Sequence, residues 1–226
     1  MISLRGKRAL VTGGTRGIGK ATVELLRAAG AEVTAAGRRT HGDLGDPARA
    51  AALAAAVTGP LDILVVSHGV WEAEGVPLAR MDQAQWRSTI SQNLDSVFHV
   101  VRALGPRMAE GGAIVLVAST AAQRGEALHA DYAASKGALV ALTKSLAVEM
   151  APRVRVNCVA PGWADTEMAA RPYAGGGRAA IEATIPLGRV ASAQDVAGPI
   201  VFLCSELARH VTGEILNVNG GSVLCG

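Results

Sequence analysis

The apolar positions of this chain fall into short continuous runs, separated by longer segments in which apolar residues recur every three or four positions. Six runs stand out: "RALVTGG", "AEVTAAG", "LDILVVSHG", "GAIVLVAS", "VRVNCVAP" and "EILNVNGG". Runs this short, mostly rich in Val, Leu and Ile and mostly closed by glycine or proline, predict strands, several of them buried on both faces. Helical spacing appears in "IGKATVELLRAAG", "DQAQWRSTISQNLDSVFHVVRAL", "DYAASKGALVALTKSLAVEM" and "SAQDVAGPIVFLCSE", with Gly30 placed to end the first helix. Alternating β and α segments predict a doubly wound, mostly parallel α/β sheet with helices on both faces, in a single domain over residues 1–226.

Two stretches interrupt this alternation. "THGDLGDPARAAALAAAVTGP" has room for one helix and at most a very short strand. In "RPYAGGGRAA", Gly175, Gly176 and Gly177 form a joint between two helix-like pieces, which reads either as a mobile flap or as a plain loop. The residues around it, Met168, Tyr173 and Ile181 with Arg171 and Arg178, would suit an acyl thioester on a carrier or many smaller ketones.

Composition narrows the possibilities. Half of the 226 residues are hydrophobic but only 3% are aromatic, so the core must be packed from Ala, Val, Leu and Ile. The net charge is +3 and the arginines are scattered, which argues against nucleic acid or a membrane surface as a partner. Cys158, Cys204 and Cys225 are odd in number and lack metal-ligand spacing, as expected of reduced thiols in a cytoplasmic protein. No export signal, membrane-spanning run, internal repeat or composition break is expected.

"VTGGTRGIGKA" follows the first predicted strand and opens the first helix, where a doubly wound fold receives a dinucleotide pyrophosphate. Gly13, Gly17 and Gly19 let the backbone approach anionic oxygens, with Thr15, Arg16 and Ile18 in the same turn. After the second strand, "AAGRRT" has Gly37 where an acidic residue would hold a ribose 2′-hydroxyl, and then Arg38 and Arg39. Together with Arg16 these can surround a 2′-phosphate, which favours NADP over NAD as cofactor; otherwise they are solvated surface charges.

The chemistry-bearing pair is Tyr132 and Lys136, drawn from only two tyrosines in the chain and set one helical turn apart on one face. Either the two form a surface pair, or the ammonium lowers the pKa of the phenol and makes it a proton donor. Ser119 ends the strand in "IVLVAST", at the sheet edge where ligands bind, and its hydroxyl could polarise a carbonyl or simply cap a turn. Asn93, inside "STISQNLDSVFHVV", is unfavourable in a helix interior and is expected to disturb the backbone there, or to lie on a solvated face.

"TGGTRGIG", "SQNLDSVF", "S" then "YAASK", "NCVAPGWADTEM" and "VTGEILNVNGG", in that order, resemble a short-chain dehydrogenase/reductase over nearly the whole chain. The resemblance implies a Rossmann-like fold and hydride transfer between NADP(H) and a ketone or secondary alcohol. Length and ending are similar to those of 3-oxoacyl-(acyl-carrier-protein) reductases. It implies a tetrad in which Tyr132 passes the proton, Lys136 lowers its pKa and holds the nicotinamide ribose, Ser119 orients the substrate oxygen, and Asn93 holds a water relay. Pro161, Gly162 and Thr166 in "PGWADT" would contact the cofactor, and Asp43 resembles the residue that meets adenine. A small-molecule carbonyl or alcohol substrate and a homotetramer or homodimer are implied as partners.

The family's Asn-Asn-Ala-Gly appears here as Val66, Ser67, His68 and Gly69, keeping only the glycine for backbone contact with the cofactor and losing the amides that brace the sheet. His68 would then be structural or sit near the cofactor, and His129, three residues before Tyr132, would touch substrate or face water. The shortened region after Arg39 bears on the adenosine pocket. Three rivals remain: an NAD-dependent alcohol or hydroxysteroid-type dehydrogenase, a catalytically silent dinucleotide-binding sensor or scaffold, and, least supported, an epimerase or dehydratase on nucleotide sugars, which needs a larger substrate region.

Overall fold

A computed structural model describes residues 2–224, so Cys225 lies outside the described residues. Six strands, β1 (Arg8–Thr12), β2 (Glu32–Ala36), β3 (Leu61–Val66), β4 (Met108–Val117), β5 (Val154–Pro161) and β6 (Ile215–Val218), form one sheet. Their order is β2-β1-β3-β4-β5-β6 and every neighbouring pair is parallel. These are the six runs read from the sequence.

The central strands are apolar throughout because both faces are covered. Successive side chains point to opposite faces, so Leu10, Leu64 and Leu116 enter one core while Val11, Val65 and Val115 enter the other. The first core packs under α3 (Pro47–Ala56), α5 (Ser96–Leu104) and α7 (Ala130–Met150), and the second under α1 (Gly17–Ala28) and α10 (Ala193–Leu203). The remaining helices are short: α2 (Arg38–His41), α4 (Gln83–Ile90), α6 (Ala121–Arg124), α8 (Ala170–Tyr173) and α9 (Gly177–Glu182).

Local chemistry sets the helix ends. Asp46 caps α3 by accepting from Ala48 N, with Pro47 in the first turn, and Ser192 and Asp195 form a reciprocal capping box on α10. Gly30, at φ +96°, ends α1 where the sequence placed it.

Two expectations change. Between β2 and β3 there are two helices, α2 and α3, and no strand among the described residues. The segment read as one helix, "DQAQ…RAL", is interrupted by a π-helical turn, Ser91–Asp95, with Asn93 at its middle. The triple-glycine segment does bend between α8 and α9, where Gly175 and Gly176 take φ +60° and +86°. Among the described residues, no helix is long and apolar enough to cross a membrane.

The strand order reverses at β1, which has β2 on one side and β3 on the other. Thr12 is level with both Ala36 and Val66, so the loops starting at Gly13, Gly37 and Ser67 leave the sheet together and open a crevice.

Candidate active site

The crevice is a cleft of about 770 Å³ along the C-terminal ends of the strands. Its floor is backbone that tolerates no side chain. A Cβ on Gly13 would lie 2.7 Å from the Ser67 carbonyl oxygen, and one on Gly19 would lie 2.2 Å from the Gly13 carbonyl oxygen. Gly13 and Gly17 also sit at φ +69° and +51°, which disfavours any other residue. No side chain caps the N-terminus of α1, so its first N–H groups remain available to an anion at the cleft. Thr15, Arg16 and Ile18 line the same stretch, and Thr15 packs so close to Gly37 that a Cβ there would meet its Oγ1 at 2.7 Å. A bare glycine cradle against a helix N-terminus suits a dinucleotide pyrophosphate.

Beyond Gly37, Arg38, Arg39 and Asp43 all line the cleft, but the three arginines are not equivalent. Arg38 donates to Asp43 Oδ2 at 2.8 Å and to Gln92 Oε1 at 2.9 Å, so its charge is already compensated. Asp43 also accepts from Gly45 N through Oδ1 at 2.9 Å. Arg16 lies 3.6 Å from Glu167 in an exposed pair. Arg39 makes no salt bridge among the described residues. The α2 turn brings Arg38 back onto Asp43, so of the three arginines expected around a 2′-phosphate, Arg39 is the one without a carboxylate partner among the described residues.

Ser119, Tyr132 and Lys136 converge on the cleft wall from the end of β4 and the first turns of α7. Asp131 fixes the start of that helix: its Oδ2 accepts from Thr89 Oγ1 at 2.7 Å and its Oδ1 from Tyr132 N at 2.9 Å. Ser119 Oγ accepts from Ala121 N at 3.1 Å, and its hydroxyl lies close enough to the Tyr132 phenol to favour the phenolate. Lys136 is buried, donates to the Val117 carbonyl at 3.0 Å and stands 5.8 Å from the Tyr132 ring centroid.

The expected lowering of the Tyr132 pKa does not occur with the chain's own groups. Burial pushes the phenol up to about 12, outweighing the Ser119 hydroxyl, while nearby Glu126 pushes it further the same way. Burial also pulls the Lys136 ammonium down to about 8, with the Cys158 side chain opposing weakly. The lysine is aimed at a carbonyl and the desolvation of both groups dominates their interaction. Cys158 and Cys204 are buried free thiols, raised to about 11 and about 12 by burial.

Asn93 does not line the cleft. Its amide clasps the loop after β3, accepting from Val70 N at 2.7 Å and donating to Val70 O at 2.9 Å and Ser135 Oγ at 3.1 Å. Its side chain is therefore spent on positioning, and only its backbone remains for any water. The close packing leaves no room at Gly69, where a Cβ would lie 3.0 Å from Asn93 Oδ1 and 3.3 Å from Lys136 Nζ. Gly69, Pro161, Gly162 and Thr166 all line the cleft.

His68 restores the bracing that the missing amides would have given. Its Nδ1 lies 2.7 Å from Thr12 Oγ1 on β1 and its Nε2 lies 2.7 Å from Ser96 Oγ at the start of α5. His129 does not line the cleft: it precedes α7, is half-buried, stacks on Trp71 with centroids 4.9 Å apart, holds Nδ1 3.0 Å from Ala127 O, and keeps a buried Nε2 without a partner among the described residues. Of the five flap residues only Met168 lines the cleft, while Arg178 is held by Asp165 and Glu182.

The sequence reading did not single out Trp71 and Trp163, which line the same cleft as Tyr132. A signal was present, since both follow glycine-bearing strand ends in a chain with only three tryptophans.

Comparison with known proteins agrees with this geometry. A family model described as enoyl-(acyl carrier protein) reductase matches residues 36–222. The 3-oxoacyl-(acyl-carrier-protein) reductase FabG of Salmonella typhimurium is 37% identical, with 97% of this chain and 98% of the relative covered. Among solved structures, a short-chain dehydrogenase/reductase from Brucella melitensis superposes with a TM-score of 0.93 at 34% identity, covering 99% of both chains. A candidate NAD(P)-dependent gluconate 5-dehydrogenase from Beutenbergia cavernae, solved with NADP bound, gives a TM-score of 0.89 at 38% identity over 97% of this chain and 98% of the other.

Proposed function

The chain belongs to the short-chain dehydrogenase/reductase family and is an NAD(P)-dependent oxidoreductase acting on carbonyl or alcohol groups, and from that premise we propose that it is an NADP(H)-dependent ketone reductase. The observation that carries this reading is the convergence of Ser119, Tyr132 and Lys136 on the cleft that the glycine turn floors. When bound, the dinucleotide supplies the hydride.

The chain's own residues do the rest. Gly13, Thr15, Arg16, Gly17, Ile18 and Gly19 would hold the pyrophosphate through backbone and helix N-terminus. Arg39, assisted by Arg16 and Arg38, would hold the 2′-phosphate, and Asp43, Gly69, Pro161, Gly162 and Thr166 would border the adenosine and nicotinamide ends. Ser119 would donate to the substrate oxygen and hold it against Tyr132. Tyr132, a neutral phenol at pH 7, would give its proton to that oxygen as negative charge develops there. The Lys136 ammonium would face the phenolate as it forms, so its help comes during the transfer and not in the resting pKa. Asn93 would act by positioning Val70 and Ser135.

Support for NADP comes from the absence of an acidic residue at Gly37 and the uncommitted Arg39, together with the NADP-bound relative. A cytoplasmic location rests on cysteines without disulfide spacing and on the FabG relatives. A single domain rests on the one sheet that both cores share. A homotetramer or homodimer rests on exposed apolar residues of the long helices, Phe98 at 49% and Val148 at 82%.

The test is NADPH oxidation, followed by absorbance over a panel of ketones, with wild type beside Tyr132→Phe. Loss of about two to four orders of magnitude in kcat/KM is expected for the variant. Equal rates in the two proteins would reject the assignment and leave a dinucleotide binder without catalysis.

A further inference from the structure

The aromatic residues of this chain are scarce and unevenly placed: two of the three tryptophans line the cleft, and Tyr173 packs behind one of them. From His129 a row runs to Trp71 at 4.9 Å, to Trp163 at 5.9 Å edge to face, and to Tyr173 at 5.9 Å. Arg178 closes the row, 5.4 Å from the Tyr173 ring.

The row is held rigidly from behind. Val76 N donates to Leu128 O at 2.8 Å, tying the Trp71 loop to the His129 loop. Gly75 permits that approach, since a Cβ there would lie 2.7 Å from the Leu128 Cβ. Leu128 itself takes φ +68°, a conformation a leucine adopts only when its surroundings enforce it. At the other end the Tyr173 hydroxyl donates to Ala164 O at 2.9 Å, and Arg178 is locked by Asp165 and Glu182.

We propose that Trp71 and Trp163 form a wall that recognises the ring of a cyclic ketone, selecting substrates whose carbonyl lies in or beside a flat carbocycle over open-chain acyl thioesters. This rests on the reductase reading above. Indoles fixed in advance lose little freedom when a substrate docks, and a flat ring covers more of an indole face or edge at once than a narrow extended acyl chain does. Arg178, at the flap end of the row, is already satisfied by two carboxylates.

The probes are α-tetralone for the ring class and acetoacetyl-N-acetylcysteamine for the open-chain class. Wild type is expected to favour α-tetralone in kcat/KM. Trp71→Leu and Trp163→Leu are expected to raise KM for α-tetralone by about five- to tenfold with kcat within about twofold, while Trp71→Phe recovers most of the loss. The thioester's constants should move less than about threefold. A preference for the thioester in wild type, or equal losses on both substrates, would overturn the proposal.

A second readout does not depend on turnover. In a Trp86→Phe background, emission comes only from Trp71 and Trp163, and titration with α-tetralone in the presence of NADP+ should quench it saturably. If neither substrate is reduced by wild type, the reductase reading fails on these probes, while a saturable quench still supports the wall and its absence overturns it.

Discussion

Replacing His68 with glutamine removes a titratable group whose resting protonation is dictated by its neighbours. The Ser96 hydroxyl donates to the Gln92 carbonyl at 2.8 Å, so toward the ring it can only accept, and Nε2 must carry the proton. Nδ1 is then left to accept from the Thr12 hydroxyl at 2.7 Å. A second proton would sit on Nδ1, in a buried site and near the Lys136 ammonium. Burial first and Lys136 second hold the pKa down from 6.5 to about 4, against a smaller pull from Asp43. The unfolded chain takes up this proton as pH falls below 6.5, while the folded chain does so only near 4. Stability contributed by the neutral ring is therefore present above 6.5 and is lost across that window, by about 2–3 kcal/mol on going from pH 7.5 to 4.5. Urea unfolding of wild type and His68→Gln at both pH values, at one protomer concentration, isolates this contribution because the other titrating groups are shared. The gap between the two proteins should shift against wild type by about 2–3 kcal/mol at the lower pH. Parallel curves would refute a neutral, bridging His68.

Arg39→Ala should reduce the preference for NADPH over NADH in dissociation constants by about ten- to a hundredfold. Arg38→Ala should reduce it as well, since it leaves the Asp43 carboxylate uncompensated, and a ratio unchanged in both variants would reject the 2′-phosphate assignment. Gly13→Ala forces a Cβ to 2.7 Å from the Ser67 oxygen at φ +69° and should cost about 2 kcal/mol or more of stability, read as a lowered Tm; an unchanged Tm would contradict the packing at the cleft floor. For ketone reduction, kcat/KM should hold level below about pH 8 and fall above it as Lys136, pulled down to about 8, loses its charge. A profile still level at pH 10 would remove Lys136 from the mechanism.

What the sequence made legible was local. Strand runs closed by glycine, the Gly13–Gly19 turn and the Tyr132–Lys136 spacing each depend on neighbours within a few positions, and the turn and the pair both lie on the cleft. What it hid depends on distant segments meeting. The Arg38–Asp43 pair forms because α2 turns the chain back on itself, where a very short strand had been thought feasible. The π turn at Asn93 follows from the clasp on Val70, which helical periodicity cannot register. Trp71 and Trp163 acquire meaning only because the loops after β3 and β5 end side by side. Spacing shows that an ammonium is near Tyr132, whereas burial, invisible in the spacing, raises the phenol when only the chain's own groups act on it.

The two central groups are displaced in opposite directions by the same cause, the phenol toward about 12 and the ammonium toward about 8. At pH 7 this leaves a neutral donor beside a charged partner, the pairing that carbonyl reduction needs. Alcohol oxidation would need the phenolate, which burial disfavours when only the chain's own groups act on it. The Asn93 amide is committed to Val70 and Ser135, and Gly69 is the position where any added side chain would press on both Asn93 Oδ1 and Lys136 Nζ. That explains in physical terms why the glycine is the one residue retained from the family's four-residue motif, while the bracing function of the lost amides has moved to His68.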